Sequence, residues 1–216
     1  MDNLPREAIG TFILAGGQSL RMGSEKGLLP FAGKPLVLRM ARLVEFAGDA
    51  PVIIGPPAKF GGIGFRVVGD DQRGVLEKDR RGVGIGGGPL VGICTALHVA
   101  TRGWNLIVAC DLPFLTREWL EFLIARSLDS PADVVIPLNE RGYEPLCAMY
   151  RQRCYPTIAA ALARGVRKVT DGLAGLTISA IARDEWKGFD PRGQLFKNVN
   201  TPADYDEART AAEETA

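Results

Sequence analysis

An apolar run beginning at Thr11 ends in Leu14-Ala15-Gly16-Gly17, and Gln18-Ser19-Leu20-Arg21-Met22-Gly23-Ser24-Glu25-Lys26 follows. Glycines let a backbone approach a phosphate closely and turn its N–H groups toward it. Arg21 and Lys26 supply cations suited to a phosphate chain. The stretch therefore predicts a nucleotide-phosphate site at the carboxyl end of a buried first strand, Gly10 to Leu14, with the amides of Gly16 and Gly17 against the phosphates. Two further apolar runs end in acid, at Gly69-Asp70-Asp71 and at Cys110-Asp111. Magnesium takes one or two carboxylates together with phosphate oxygens and water. A glycine loop, two cations and these carboxylates on one rim would hold a magnesium-bound nucleoside triphosphate. Asp111 is the best-placed metal ligand: it follows the most apolar run directly and precedes Leu112-Pro113, whose proline stiffens the turn.

Neither of the two common glycine signatures applies. The phosphate loop G-x-x-x-x-G-K-[ST] needs a lysine where this chain has Met22 or Gly23. Gly82-Val83-Gly84-Ile85-Gly86-Gly87 satisfies G-x-G-x-x-G in form, but it follows a charged stretch and not a strand, so it is not a dinucleotide fingerprint.

The elements that must position these residues alternate. Pro51 to Ile54, Phe65 to Val68, Asn105 to Cys110, Asp133 to Pro137 and Thr177 to Ile181 read as strands. Glu144 to Tyr150 reads as another, antiparallel or at an edge because of Pro145. Helices are predicted from Pro35 toward a cap at Gly48, from Pro89 to Ala100, from Arg117 to Ser127 after an N-cap at Thr116, and from Pro156 to Arg164. A last helix opens at Thr201-Pro202-Ala203-Asp204 and runs toward Thr210. Arg39 and Arg42 lie off the apolar stripe of their helix and read as a solvated face. Residues 71–88 read as a long loop and 210–216 as a polar tail. The alternation argues for an α/β chain with a mostly parallel sheet and helices on both faces, a single domain over residues 1–216.

Bulk properties narrow the chemistry. A net charge of +1 over 216 residues gives no basic field for nucleic acid. No apolar run is long enough to span a bilayer, and the polar start has no signal-peptide pattern, so a cytoplasmic setting without membrane contact is expected. The four cysteines form no C-x-x-C and sit in apolar segments, where buried free thiols are expected. One histidine, His98, lies in a helical pattern, so chemistry that needs a histidine base is nearly excluded unless His98 supplies it.

Leu14 to Lys26 resembles the L-A-G-G-x-S-x-R-M-G-x-x-K signature of nucleotidyltransferases with a three-layer, Rossmann-like nucleotide-diphospho-sugar transferase fold of the glycosyltransferase-A type. Gly27-Leu28-Leu29, Gly33-Lys34-Pro35-Leu36, Gly88-Pro89-Leu90-Val91-Gly92-Ile93, Cys110-Asp111-Leu112-Pro113-Phe114 and Asn198-Val199-Asn200-Thr201-Pro202-Ala203-Asp204 resemble the molybdenum cofactor guanylyltransferase family, from about residue 11 to 208. The resemblance implies transfer of GMP from GTP to molybdenum-molybdopterin with loss of pyrophosphate. It implies that Leu14, Ala15, Gly16, Lys26, Asp70 and Asp111 contact the nucleotide and that Asp111 holds Mg2+; the residues themselves add Gly17 to the phosphate loop and Arg21 beside Lys26 and Asp111 as the groups expected to carry the reaction. Asn198 and Asn200 would lie on the cofactor side, and transient contact with molybdenum-insertion proteins or acceptor molybdoenzymes is expected. Two departures stand out. Gly55 occupies a position where some members carry a nucleotide-contacting asparagine, and the long 71–88 loop leaves Asp70 and Asp71 as alternatives for one contact. A cytidylyl or sugar-phosphate transferase, a non-catalytic nucleotide-binding homologue and, more remotely, a dinucleotide-dependent oxidoreductase are the rival readings. The choice of guanine over cytosine rests on the resemblance alone.

Overall fold

The structure, a computed structural model, describes residues 9–16, 26–69 and 87–213. The chain runs through β1 (Ile9–Leu14), a short hairpin of β2 (Pro30–Phe31) and β3 (Lys34–Pro35), α1 (Leu36–Val44), β4 (Val52–Ile54), α2 (Pro57–Phe60) and β5 (Arg66–Val68). It continues through α3 (Pro89–Val99), β6 (Trp104–Ala109), α4 (Arg117–Leu128), β7 (Val134–Asn139), β8 (Gly142–Tyr143), β9 (Cys147–Arg151) and α5 (Tyr155–Ala163). The last elements are α6 (Val169–Gly172), β10 (Ile178–Ile181), α7 (Arg183–Trp186) and α8 (Pro202–Glu213).

The sheet order is β10-β7-β9-β6-β1-β4-β5, with β8 hydrogen-bonded to β7. β1 lies parallel between β4 and β6, β4 is parallel to β5, and β10 is parallel to β7. β9 is antiparallel to both its neighbours, β6 and β7. The expected antiparallel strand is thus a central one. Pro145 precedes it, so no ladder donor is lost, and the Pro145 carbonyl accepts the Tyr150 hydroxyl at 2.8 Å.

Alternation along buried strands builds two cores. Ile9 and Ile13 of β1 pack with Val37, Met40 and Val44 of α1 and with Leu120, Leu123 and Ile124 of α4. Phe12 and Leu14 face the other way, toward Leu90, Ile93 and Leu97 of α3 and Ile158 and Leu162 of α5. The result is the three-layer arrangement the apolar runs predict. α3 reaches the end of β1 closely because Gly92 lacks a side chain: a Cβ there would stand 3.2 Å from Leu14 Cδ2.

Local signals also hold. The Thr116 side chain accepts from Trp119 N at 3.2 Å and caps α4. At α8, Asp204 Oδ2 accepts from the amides of Asn200 and Thr201 at 2.9 Å, and Thr201 Oγ1 accepts from Asp204 N at 3.1 Å, a reciprocal capping box. α1 is shorter than expected: Pro35 is its N-cap and Glu45 its C-cap, well before Gly48. Arg42 is exposed and pairs with Glu45, whereas Arg39 is half-buried, so only one of the two is a solvated charge. All four cysteines are buried and free. Burial pushes the thiols of Cys94, Cys147 and Cys154 up to about 12, which leaves them inert at neutral pH. His98 is exposed on α3 with its ring against Tyr155. Among the described residues no helix is long and apolar enough to cross a membrane.

Candidate active site

β1 has β4 on one side and β6 on the other, so the chain leaves it in one direction and returns in the other. Open α/β sheets bind ligands in the crevice at such a switch point, outside the carboxyl ends of the strands. The end of β1 is anchored on both sides. Ala15 N and Gly16 N donate to Ile54 O at 2.8 and 3.1 Å, and Cys110 N donates to Leu14 O at 3.0 Å. Leu14 and Ala15 are buried and Gly16 is exposed. The Gly16 amide is engaged by Ile54 O, and Gly16 presents exposed backbone with no side chain. Gly17, Arg21, Asp70 and Asp71 lie outside the described residues, as does nearly all of the 71–88 loop. Gly55 has a local reason to be glycine: a Cβ there would lie 3.1 Å from both Ala15 C and Gly16 N. The absent side chain lets the end of β4 pack against Ala15 and Gly16.

Three distant segments meet in front of this crevice. Lys26 opens a 3-10 turn, and its Nζ donates to Asp111 Oδ2 at 2.6 Å and to Asn200 Oδ1 at 2.7 Å. The Lys26 and Asp111 side chains are 15% and 17% exposed, so the pair is shielded but reachable. Asp111 also anchors the third segment through its backbone, because Val199 N donates to its carbonyl at 3.0 Å. Val199 is fully buried beside Phe31, Leu36 and Ala208. The irregular chain leading to it is pinned by Phe196, whose ring packs edge-on against Trp119 and Trp186, and by Asp190 Oδ1, which accepts from the amides of Gln194 and Leu195. Asn198 and Asn200 are therefore brought to Asp111 and Lys26.

Asp111 Oδ1 and Asn198 Oδ1 are buried atoms with no hydrogen-bond partner among the described residues. An unsatisfied buried acceptor costs about 1–3 kcal/mol. Oxygen acceptors lacking donors are what a hard divalent cation requires, so the residues present fit magnesium.

Two residues that the sequence did not single out belong to this rim. Arg39 of α1 donates from Nε to Pro113 O at 3.2 Å and lies 5.4 Å from the Phe31 ring centre, tying down the turn that carries Asp111. Its partial burial lowers its pKa. Glu144 is half-buried, and its pKa is pushed up to about 7, first by burial and then by the charge of Asp111. Arg141 and a long 3.5 Å contact from the Asn139 amide pull the other way. Its backbone is fixed by Glu144 N to Pro137 O at 2.9 Å, and the neighbouring Leu146 O accepts from Ala109 N at 2.8 Å. An antiparallel β9 begins on the rim where β6 and β7 end, which is why the segment leading into it, with Glu144, lies at the site. That signal is legible only once β9 is known to be central.

The raised Glu144 value gives a pH prediction. Between its ordinary 4.5 and about 7 the native chain keeps a proton that the unfolded chain releases. Native stability from this group is therefore full below 4.5, falls as pH rises through 7, and is flat above. Glu144→Gln, which cannot ionise, should raise the melting temperature by roughly 3–5 °C at pH 8. The gain should vanish near pH 4.5, as followed by thermal denaturation.

A family model, the MobA-like NTP transferase domain, matches residues 11–177. The chain belongs to this family. Within it, the chain is 33% identical over 202 residues to a probable molybdenum cofactor guanylyltransferase of Pelotomaculum thermopropionicum, covering 93% of this chain and 92% of that one. It is 32% identical to a protein of the same name from Methanothermobacter thermautotrophicus, covering 89% and 94%. Among solved structures, molybdopterin-guanine dinucleotide biosynthesis protein A from Archaeoglobus fulgidus superposes with a TM-score of 0.76 at 25% identity, over 95% of this chain and 99% of that one. The 2-C-methyl-D-erythritol 4-phosphate cytidylyltransferase of Thermus thermophilus is similar in fold, with a TM-score of 0.67 at 14% identity over 96% and 99%. The MobA-like chain thus has the nucleotide-diphospho-sugar transferase fold, with its polar residues gathered at the switch point of the sheet.

Proposed function

We propose that the protein is a molybdenum cofactor guanylyltransferase: it transfers GMP from GTP to molybdenum-molybdopterin and releases pyrophosphate. The observation that carries this is the meeting of Lys26, Asp111 and Asn200 within 2.6–2.7 Å contacts at the sheet's switch point. The names of the full-length relatives supply the substrates.

The acceptor is a phosphate monoester, largely ionised near neutral pH. An oxygen of that phosphate attacks the α-phosphorus of GTP, and the α–β bridging oxygen leaves with pyrophosphate. No proton must be taken from the nucleophile, which agrees with an exposed His98 packed on Tyr155 and absent from the site. The protein's work is alignment and charge neutralisation. Leu14, Ala15 and the exposed backbone of Gly16 form a floor for the nucleotide, with Gly17 and Asp70 as further contacts. Lys26 and Arg21 stabilise charge growing on the leaving phosphates. Asp111 would hold magnesium, and the bound ion would supply additional charge neutralisation to the reacting phosphates. A cytoplasmic setting, and transient contact with molybdenum-insertion proteins or acceptor molybdoenzymes, belong to the same reading.

The test is a nucleotide panel. Purified protein, magnesium and molybdenum-molybdopterin are given GTP, CTP, ATP or UTP, and the dinucleotide product is separated. GTP should give product at least about tenfold faster than CTP, a discrimination within reach of base-edge hydrogen bonds. Preference for CTP, or product only with a sugar phosphate as acceptor, would replace the proposal by a sister activity.

A further inference from the structure

Asn200 belongs to the segment expected on the acceptor side, yet its carboxamide oxygen accepts from Lys26 Nζ at 2.7 Å. The same ammonium donates to Asp111 Oδ2 at 2.6 Å. The Asn200 side chain is exposed but stands on a rigid base. Its own amide donates to Asp204 Oδ2 in the α8 capping box, and its neighbour Val199 is buried and bonded to the Asp111 carbonyl.

We propose that Asn200 is a positioning residue that acts through Lys26, keeping the ammonium over the phosphate position when Asp111 engages the metal. This rests on the reading of Lys26 as the phosphate-binding cation. A lysine ammonium is a point charge on a flexible stem, with three rotatable donors. A carboxylate shared between an ammonium and a divalent ion sets two cations against each other, so the Lys26–Asp111 contact weakens as the site fills. A neutral amide does not have that conflict. It keeps an acceptor on the ammonium, and it adds no negative charge that would repel the phosphate chain or draw a second cation. Residue 200 is 174 positions from Lys26, and the capping box holds the backbone of Asn200 at the start of α8.

The test is a double-mutant cycle on the full chain, with wild type, Lys26→Ala, Asn200→Ala and the double variant. Two quantities are read: GTP affinity by calorimetry with EDTA and no metal, and kcat and KM for GTP and acceptor. Thermal melts check that all four fold, which the exposed Asn200 side chain permits. Asn200→Ala alone should leave metal-free GTP binding within about twofold, because Asp111 still holds the ammonium there, and lower kcat about tenfold in magnesium; on the Lys26→Ala background it should change neither by more than about twofold. The acceptor KM should stay unchanged. Equal losses on both backgrounds, or a raised acceptor KM with kcat intact, would mean that Asn200 touches a substrate directly; that would overturn the inference while leaving Lys26 in the site. No effect of Asn200→Ala on the wild-type kcat would also overturn it. No effect of Lys26→Ala would remove the parent reading, and this inference with it.

Discussion

Replacing Asp111 with asparagine should lower guanylyl transfer by about 10³-fold while the protein stays folded. The side chain keeps its shape but loses the charge that faces Lys26 at 2.6 Å and the carboxylate oxygen proposed for the metal. The supporting structure does not depend on that charge. Val199 N donates to the Asp111 backbone carbonyl, and Arg39 holds the next turn through Pro113 O. Removing the Asp111 charge weakens a shielded ion pair, so some loss of stability is expected, about 1–2 kcal/mol once solvent screening is allowed for. A melting-temperature drop of roughly 3–6 °C with a preserved cooperative transition would agree. Single-turnover transfer measured beside thermal melts separates the two effects. Retention of more than about a tenth of the rate would remove Asp111 from the chemistry.

Lys26→Ala is the second large effect. The ammonium is the point at which Asp111 and Asn200 are joined, so its loss removes the cation proposed to face the phosphates and leaves two acceptor oxygens without that donor. We expect kcat to fall about 10²-fold and GTP binding to weaken about tenfold, because a cation facing the leaving phosphates contributes to the ground state and more to the transition state. Lys26→Arg should recover little of this. A planar guanidinium cannot place donors on the two acceptors as a compact ammonium does. Steady-state kinetics with varied GTP checks the split, and an unchanged kcat would show that Lys26 does not act on the reacting phosphates.

What the sequence made legible follows from the range over which each interaction acts. β1 and β6 were readable because both faces of each run are apolar, as a strand covered by helices on both sides requires. The caps at Thr116 and Thr201 were readable because their partners lie three residues away. The types of residue in the site were readable from the rule that strand ends gather ligands, and Lys26 and Asp111 do meet across 85 positions. The Lys26–Asn200 contact was not, since no local pattern encodes a pairing of two chain ends. Arg39 looked solvated from its helix position, but a carbonyl arriving from Pro113 recruits it. Glu144 was hidden for the same reason as β9: a short apolar run before an edge and one before a central strand look alike until its neighbours on both sides are known. Gly16 was legible as a turn, whereas the partner of its amide, Ile54 O, comes from a strand that only pairing brings close.

The central claim is tested most directly with GTP labelled at the α-phosphate, incubated with the protein, magnesium and molybdenum-molybdopterin. The account predicts that label enters the molybdopterin product one for one with released pyrophosphate, and that transfer stops in EDTA and is nearly lost in Asp111→Asn. Label that stays with GTP or free GMP, or that enters product equally well in the Asp111→Asn variant, would contradict it.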